Sequence, residues 1–123
     1  MERLTIFFWG VMAAAGQVYL LREYLVAAGG NELSIGIFFA AWLTGIAAGA
    51  FAAGRVEGRR AAAWLFTFSV LAWVLFPCVV LALRLAPALF GVAAGTRLTV
   101  LQSALLSIVS VLPFAAVIGA YFP

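Results

Sequence analysis

Hydrophobic positions along this chain come in long unbroken runs. They show neither the alternation of a strand nor the one-sided stripe of a surface helix. Four runs stand out, over residues 4–28, 33–53, 61–83 and 98–121. A helix crosses the roughly 30 Å hydrocarbon core of a bilayer with about 20 apolar residues, so each run is long enough to span. The pattern predicts an all-α fold, an integral membrane bundle of four transmembrane helices that forms one domain over residues 1–123. Residues 84–97 are expected as a loop or an interfacial segment, because Pro87, Gly91 and Gly95 interrupt an apolar run too short to cross.

Polar and small residues then differentiate the runs. In the first, Gly10 and Ala14 lie four apart, as part of a flank small enough for close helix contact. Gln17 falls near mid-depth, while Arg22 and Glu23 lie within snorkelling reach of the interface. The stretch from Met1 to Gly16 has the outline of a secretory signal peptide. Apolar residues resume directly after it, so an uncleaved first span is expected. Gly29-Gly30-Asn31-Glu32 forms a hinge that forces the first two helices into an antiparallel pair. Asn31 or Ser34 is suited to cap the second helix, with Glu32 beside its positive N-terminal end. That helix carries Ala41, Gly45, Gly49 and Ala53 at spacing four, a GxxxG row expected to pack within this chain before serving dimerisation.

The third run contains Pro77, expected to kink it, and Cys78, expected as a small buried filler. The fourth carries Thr99, Ser103 and Ser107 on one face, with Gln102 and Ser110 nearby. Packing through hydrogen bonds worth roughly 0.6 kcal/mol each is the expected use of that row, and a polar path the alternative. Pro113 is expected to bend this helix near its end, and Tyr121 suits an interface belt.

Composition sharpens the solvent assignment. Hydrophobic residues make up 67% of the chain and charged ones 9%, against about 25% charged in an ordinary soluble domain. The net charge of +3 comes from seven arginines and four glutamates, without lysine, aspartate or histidine. The arginines stand at segment ends and form no basic stripe, so they read as topology determinants and no nucleic-acid partner is expected. Arg3, Arg55, Arg59 and Arg60 fall on one side and Arg22, Arg84 and Arg97 on the other. The concentration of Arg55, Arg59 and Arg60 in one short loop predicts that both termini lie in the cytoplasm; the expected location is a bacterial inner membrane. One cysteine and no histidine exclude an internal disulfide, a zinc site and a histidine-ligated haem held by this chain alone. No catalytic, cofactor-binding or metal residues are assigned, and no cofactor is expected.

Several motifs together resemble the N-terminal membrane domain of membrane-bound spermidine synthase-like proteins. Gln17 stands where many members have glutamate, and Arg22 matches their arginine. Gly54-Arg55-Val56-Glu57-Gly58-Arg59 is similar to their Gly-Arg-x-x-Asp-Arg loop, with a changed spacing and acidic residue. The ending, Leu112-Pro113-Phe114 to Gly119-Ala120-Tyr121-Phe122-Pro123, is similar to their Leu-Pro…Gly-x-x-Phe-Pro signature. The resemblance implies a helical membrane domain that in the family often precedes a soluble aminopropyltransferase-type domain. That catalytic part has no counterpart here. No glycine-rich loop follows a strand, and no aspartate is present to act as base. Aminopropyl transfer by these residues is not expected. A half-length version, a split product and part of a longer protein are the three readings of that departure.

Three functions fit this sequence. The first is a non-catalytic integral membrane subunit that packs against other membrane subunits or itself in a larger complex. The second is a half-size transporter-like protein for polyamines or another small cation, acting as an oligomer, with Gln17, Arg22, Glu23, Asn31 and Glu32 as its candidate polar residues. The third is a membrane anchor for a separately encoded aminopropyltransferase-type enzyme.

Overall fold

The computed structural model describes residues 2–55, 60–93 and 96–122, and among these every regular element is helical. The elements are α1 (Glu2–Ala28), α2 (Glu32–Ala53), α3 (Arg60–Leu89), α4 (Val100–Leu106), a π turn (Ser107–Val111) and α5 (Leu112–Gly119). Three stretches are long and apolar enough to cross a membrane: Glu32–Ala53, Phe66–Leu89 and Val100–Gly119. The last joins α4, the π turn and α5 into one rod.

Each chain reversal rests on a local device. At the hinge, Gly29 and Gly30 adopt φ of 82° and 65°, and the Gly29 N–H closes α1 on the Leu25 carbonyl at 3.0 Å. Of the two candidate caps, Asn31 performs the role, its Oδ1 accepting from the Ser34 N–H at 2.6 Å. Ser34 turns inward and is buried.

The third helix runs six residues past the expected end at Leu83, to Leu89, and so takes in the first six of the fourteen residues expected as a loop. Pro87 fails to break it because a proline removes only one backbone bond, while Leu83 and Ala86 are fully buried and hold that turn in the core. Its true stop is Gly91 at φ 63°. There Val92 N–H reaches the Pro87 carbonyl and Gly91 N–H the Ala88 carbonyl, a Schellman closure.

The fourth rod begins with a capping box: Gln102 N–H donates to Thr99 Oγ1, and Thr99 N–H donates to Gln102 Oε1. Thr99 therefore leaves the hydroxyl row in which the sequence spacing put it. The distortion expected at Pro113 takes the form of the π turn just before it. Pro113 offers no N–H, and its ring would press on the carbonyl four residues back in α geometry. The wider turn accommodates the ring, with Leu112 N–H bonding five residues back to Ser107.

The four rods pack in an up-down-up-down order. α1 and α3 run parallel, since Glu23 meets Arg84 and Gly16 lies near Phe76. α2 runs parallel to α5 and is the most closely apposed to it. A Cβ placed on Gly45 would lie 2.7 Å from the Ala115 Cβ, and one on Gly49 would overlap the Ala116 carbonyl. Gly119 answers from the other side, against the Ile46 backbone. Three missing side chains thus let two backbones touch, which increases dispersion contact between the two helices.

Around this seam a chain of aromatic rings leaves α1 and returns to it. Tyr24 packs on Phe38, Phe38 on Trp42, Trp42 on Phe114, Phe114 on Phe76 and Phe76 on Tyr19, with centroids 5.5–6.1 Å apart. Each such pair adds about 0.5–1.5 kcal/mol beyond area burial. The path visits all four rods and fixes their order.

Candidate functional site

Charge comes together at the hinge end of the bundle. Arg84 on α3 grips Glu23 on α1 with a two-point fork, Nε to Oε2 at 2.9 Å and Nη2 to Oε1 at 3.0 Å. Its Nη2 also donates to the Tyr19 hydroxyl at 3.4 Å. The parallel course of α1 and α3 creates this meeting by placing their late arginine and glutamate at equal height. Fork geometry suits guanidinium to carboxylate better than a single contact would. The glutamate is the shielded partner, with a side chain 15% exposed against 60% for Arg84. From sequence alone, Glu23 is a candidate functional residue and Arg84 a topology charge. Opposite charges late in two long apolar runs are the signal that links them.

The other polar candidates stay apart from this pair. Arg22 is exposed on the neighbouring face of α1, and Glu32 is exposed in the first turn of α2. Arg97 lies at the same end, its aliphatic stem resting on Gly29: a Cβ there would come within 2.5 Å of the Arg97 Cγ. At the opposite end, Arg55 stacks over the Phe51 ring at 3.7 Å. Arg59 lies outside the described residues, and of Arg3 and Arg60 only the backbone is described.

A second polar group is buried between α1 and the fourth rod. The Tyr24 hydroxyl donates to the Ser103 carbonyl at 3.1 Å, and Ser107 Oγ donates to the same carbonyl at 3.0 Å. Ser110 Oγ donates to the Leu106 carbonyl. Ser103, Ser107 and Ser110 are all buried. The donors of Ser107 and Ser110 are thus directed back into their own helix, an arrangement that ties a rod together more readily than it lines a path. Tyr24 is the member that residue spacing missed, although it sits one turn beyond Leu20 on the core-facing stripe of α1.

Small residues expected on packing faces divide in two. Ala41, Gly45 and Gly49 are buried and Ala53 is half-buried. Gly10 and Ala14 touch no other helix closely: no atom lies within 4 Å of a Cβ built on Gly10, and Ala14 is exposed. Gln17 is half-buried, and its amide makes no hydrogen bond among the described residues. Cys78, expected as a buried filler, is exposed instead. It follows Pro77 on the outer face of α3, where the core has no place for it.

On the other edge of α1 an apolar cleft of about 620 Å³ opens toward α3, walled by Trp9, Met12, Gly16, Ala72, Trp73 and Phe76. Tyr121 packs against Trp9 of that wall. Its ring stacks on Trp9 with centroids 4.0 Å apart, and its hydroxyl donates to Ser69 Oγ at 2.7 Å.

Among the described residues no cluster of three or more histidine, cysteine, aspartate or glutamate side chains could hold a metal ion. Comparison with known protein families, curated proteins and solved structures gives no match.

Proposed function

We propose that this chain is a four-span membrane subunit without chemistry of its own, which packs against partner helices in a larger assembly. α1 joins the three apolar spans as the fourth. Its 27 residues reach about 40 Å at about 1.5 Å each. The outer faces carry Phe7, Leu43, Phe66, Trp73, Leu89 and Val109, each more than half exposed. Water-soluble monomers rarely leave such broad apolar patches uncovered. The arginines support an orientation with both termini in the cytoplasm, since Arg55 lies at the end opposite Glu23 and Arg84 and the sequence puts Arg59 and Arg60 in the same short loop.

The observation that carries the subunit reading is the double character of α2. One of its faces, Gly45 and Gly49, is used up against α5. The opposite face repeats the device with Gly36, Ala40 and Ala47, all exposed, and nothing lies within 4 Å of a Cβ built on Gly36. A helix small on both sides is built for contact on both sides.

Purification in mild detergent followed by intact-mass measurement tests the reading. A defined partner should accompany the chain and be lost in Ala40→Leu, with the melting temperature of the chain itself unchanged. A chain that always runs alone, or a partner retained by that variant, would defeat the proposal.

A further inference from the structure

The cleft between α1 and α3 has a depth and a direction set by how these helices meet. Tyr19 on Phe76 and the Glu23–Arg84 fork hold them together, both in the half of α1 that follows Gly16. In the other half they part around the hollow of about 620 Å³. Gly16 marks its inner end: a Cβ there would lie 3.9 Å from the Phe76 ring and 4.0 Å from that of Phe114. Phe8, Met12 and Trp73 on its rim are more than half exposed, so it opens outward from the bundle. Trp9 is fixed by its stack on Tyr121, and Phe76 by its contact with Phe114. The hollow is therefore pre-formed, and its size falls within the roughly 300–1,000 Å³ of ligand pockets.

Membrane depth identifies the occupant. Gly16 stands beside the midpoint of α1, and the wall from Phe8 to Gly16 runs about 12 Å at about 1.5 Å per residue. One leaflet supplies roughly 15 Å of hydrocarbon, so the hollow reaches from the bilayer centre toward one surface. A transmembrane helix laid against it would continue into the half where α1 and α3 close on each other. An acyl chain ends at the midplane, as the hollow does. Its methylenes gain dispersion contact with apolar and aromatic walls that an empty cleft forgoes.

Charge at the open end selects the headgroup. Arg3, in the first turn of α1, stands about 20 Å from Gly16 along the helix, beyond the hydrocarbon and level with the headgroups. Arg60 begins α3 at the same end, and Arg55 follows α2 there. The sequence sets Arg3, Arg55, Arg59 and Arg60 against Glu2 and Glu57 on this side, an excess that attracts anionic lipid. We propose that the α1–α3 cleft binds one acyl chain of a phospholipid with an anionic headgroup, whose phosphate lies at the end where both helices begin. The inference rests on the membrane reading above.

Quenching of tryptophan fluorescence by brominated lipid tests it, with the full chain in vesicles. Trp64→Phe with Trp73→Phe leaves Trp9 at the cleft and Trp42 in the core as emitters. Phosphatidylglycerol brominated on its acyl chains, as a minor part of phosphatidylcholine vesicles, should quench Trp9 saturably. Brominated phosphatidylcholine should need about tenfold more, the effect of arginines near a membrane surface. Ala15→Phe fills the inner part of the hollow from an exposed position and should abolish the saturable phase. Arg3→Gln with Arg60→Gln should keep that phase and remove most of the preference, and melting temperatures check each fold. Quenching merely proportional to bulk lipid, a saturable phase untouched by Ala15→Phe, equal response to the two lipids, or Trp9 shielded from both by a protein would each overturn the proposal. Release of the chain by alkaline carbonate would instead refute the membrane reading, whereas an embedded chain without saturable quenching would refute the lipid site alone.

Discussion

A single methyl group probes the closest contact in the bundle. At Gly49 the nearest atoms belong to the Ala116 and Ala120 backbones, which cannot rotate away as a side chain would. Gly49→Ala should therefore destabilise the chain by about 1–3 kcal/mol, the usual penalty of overpacking. Gly36→Ala meets open space and should change stability by no more than about 1 kcal/mol, in the stabilising direction, through helix propensity. Thermal unfolding of both variants in the same detergent checks the contrast. The Glu23–Arg84 pair yields a second test at this scale. Glu23→Gln and Arg84→Gln should each lower the melting temperature, and exchanging the two charges should recover most of the loss. Melting of all three variants at the wild-type temperature would mean that the pair contributes nothing to holding α1 on α3.

At the scale of elements, the helix ends depend on glycines in left-handed conformations. A side chain at such a φ costs about 1–2 kcal/mol, so Gly91→Ala should be destabilised by about that amount. Gly29→Ala should lose more, because its methyl would also strike the Arg97 stem at 2.5 Å from Cγ. Adding Arg97→Ala should restore the excess and leave the conformational part, a non-additivity that unfolding of the two single variants and the double variant reads directly. The length of α3 belongs here too. Propensity alone argued for a stop near Pro87, and burial of Leu83 and Ala86 outweighed it. Because the helix continues, Arg84 belongs to α3 and pairs with Glu23.

For the whole molecule, the parallel course of α1 and α3 brings Arg22, Arg84 and Arg97 to one end and leaves Arg55 at the other. Membrane insertion should expose these ends to opposite compartments. In the Cys78→Ser background, Glu32→Cys and Thr96→Cys should react with an impermeant maleimide added outside intact cells, and Arg55→Cys only after permeabilisation. The reverse labelling pattern would invert the proposed topology, and labelling of all three from outside would refute it.

Local pattern was enough for the helical character of the chain, for the hinge at Gly29 and Gly30, and for the small row of α2. Each depends on run length, backbone freedom or side-chain size, and all three are written in consecutive residues. Which surfaces meet was decided only in three dimensions. Gly45 and Gly49 could have faced any small helix, and it is Gly119 with its flanking alanines on α5 that complements them. Gly10 and Ala14 have the same spacing, yet a Cβ on Gly10 would meet open space and Ala14 is exposed, because that edge of α1 is turned away from the core. Glu23 and Arg84, 61 residues apart, become partners only because two helices run side by side in the same direction. Periodicity reports what one helix can offer, whereas contact depends on the relative rotation and height of two helices.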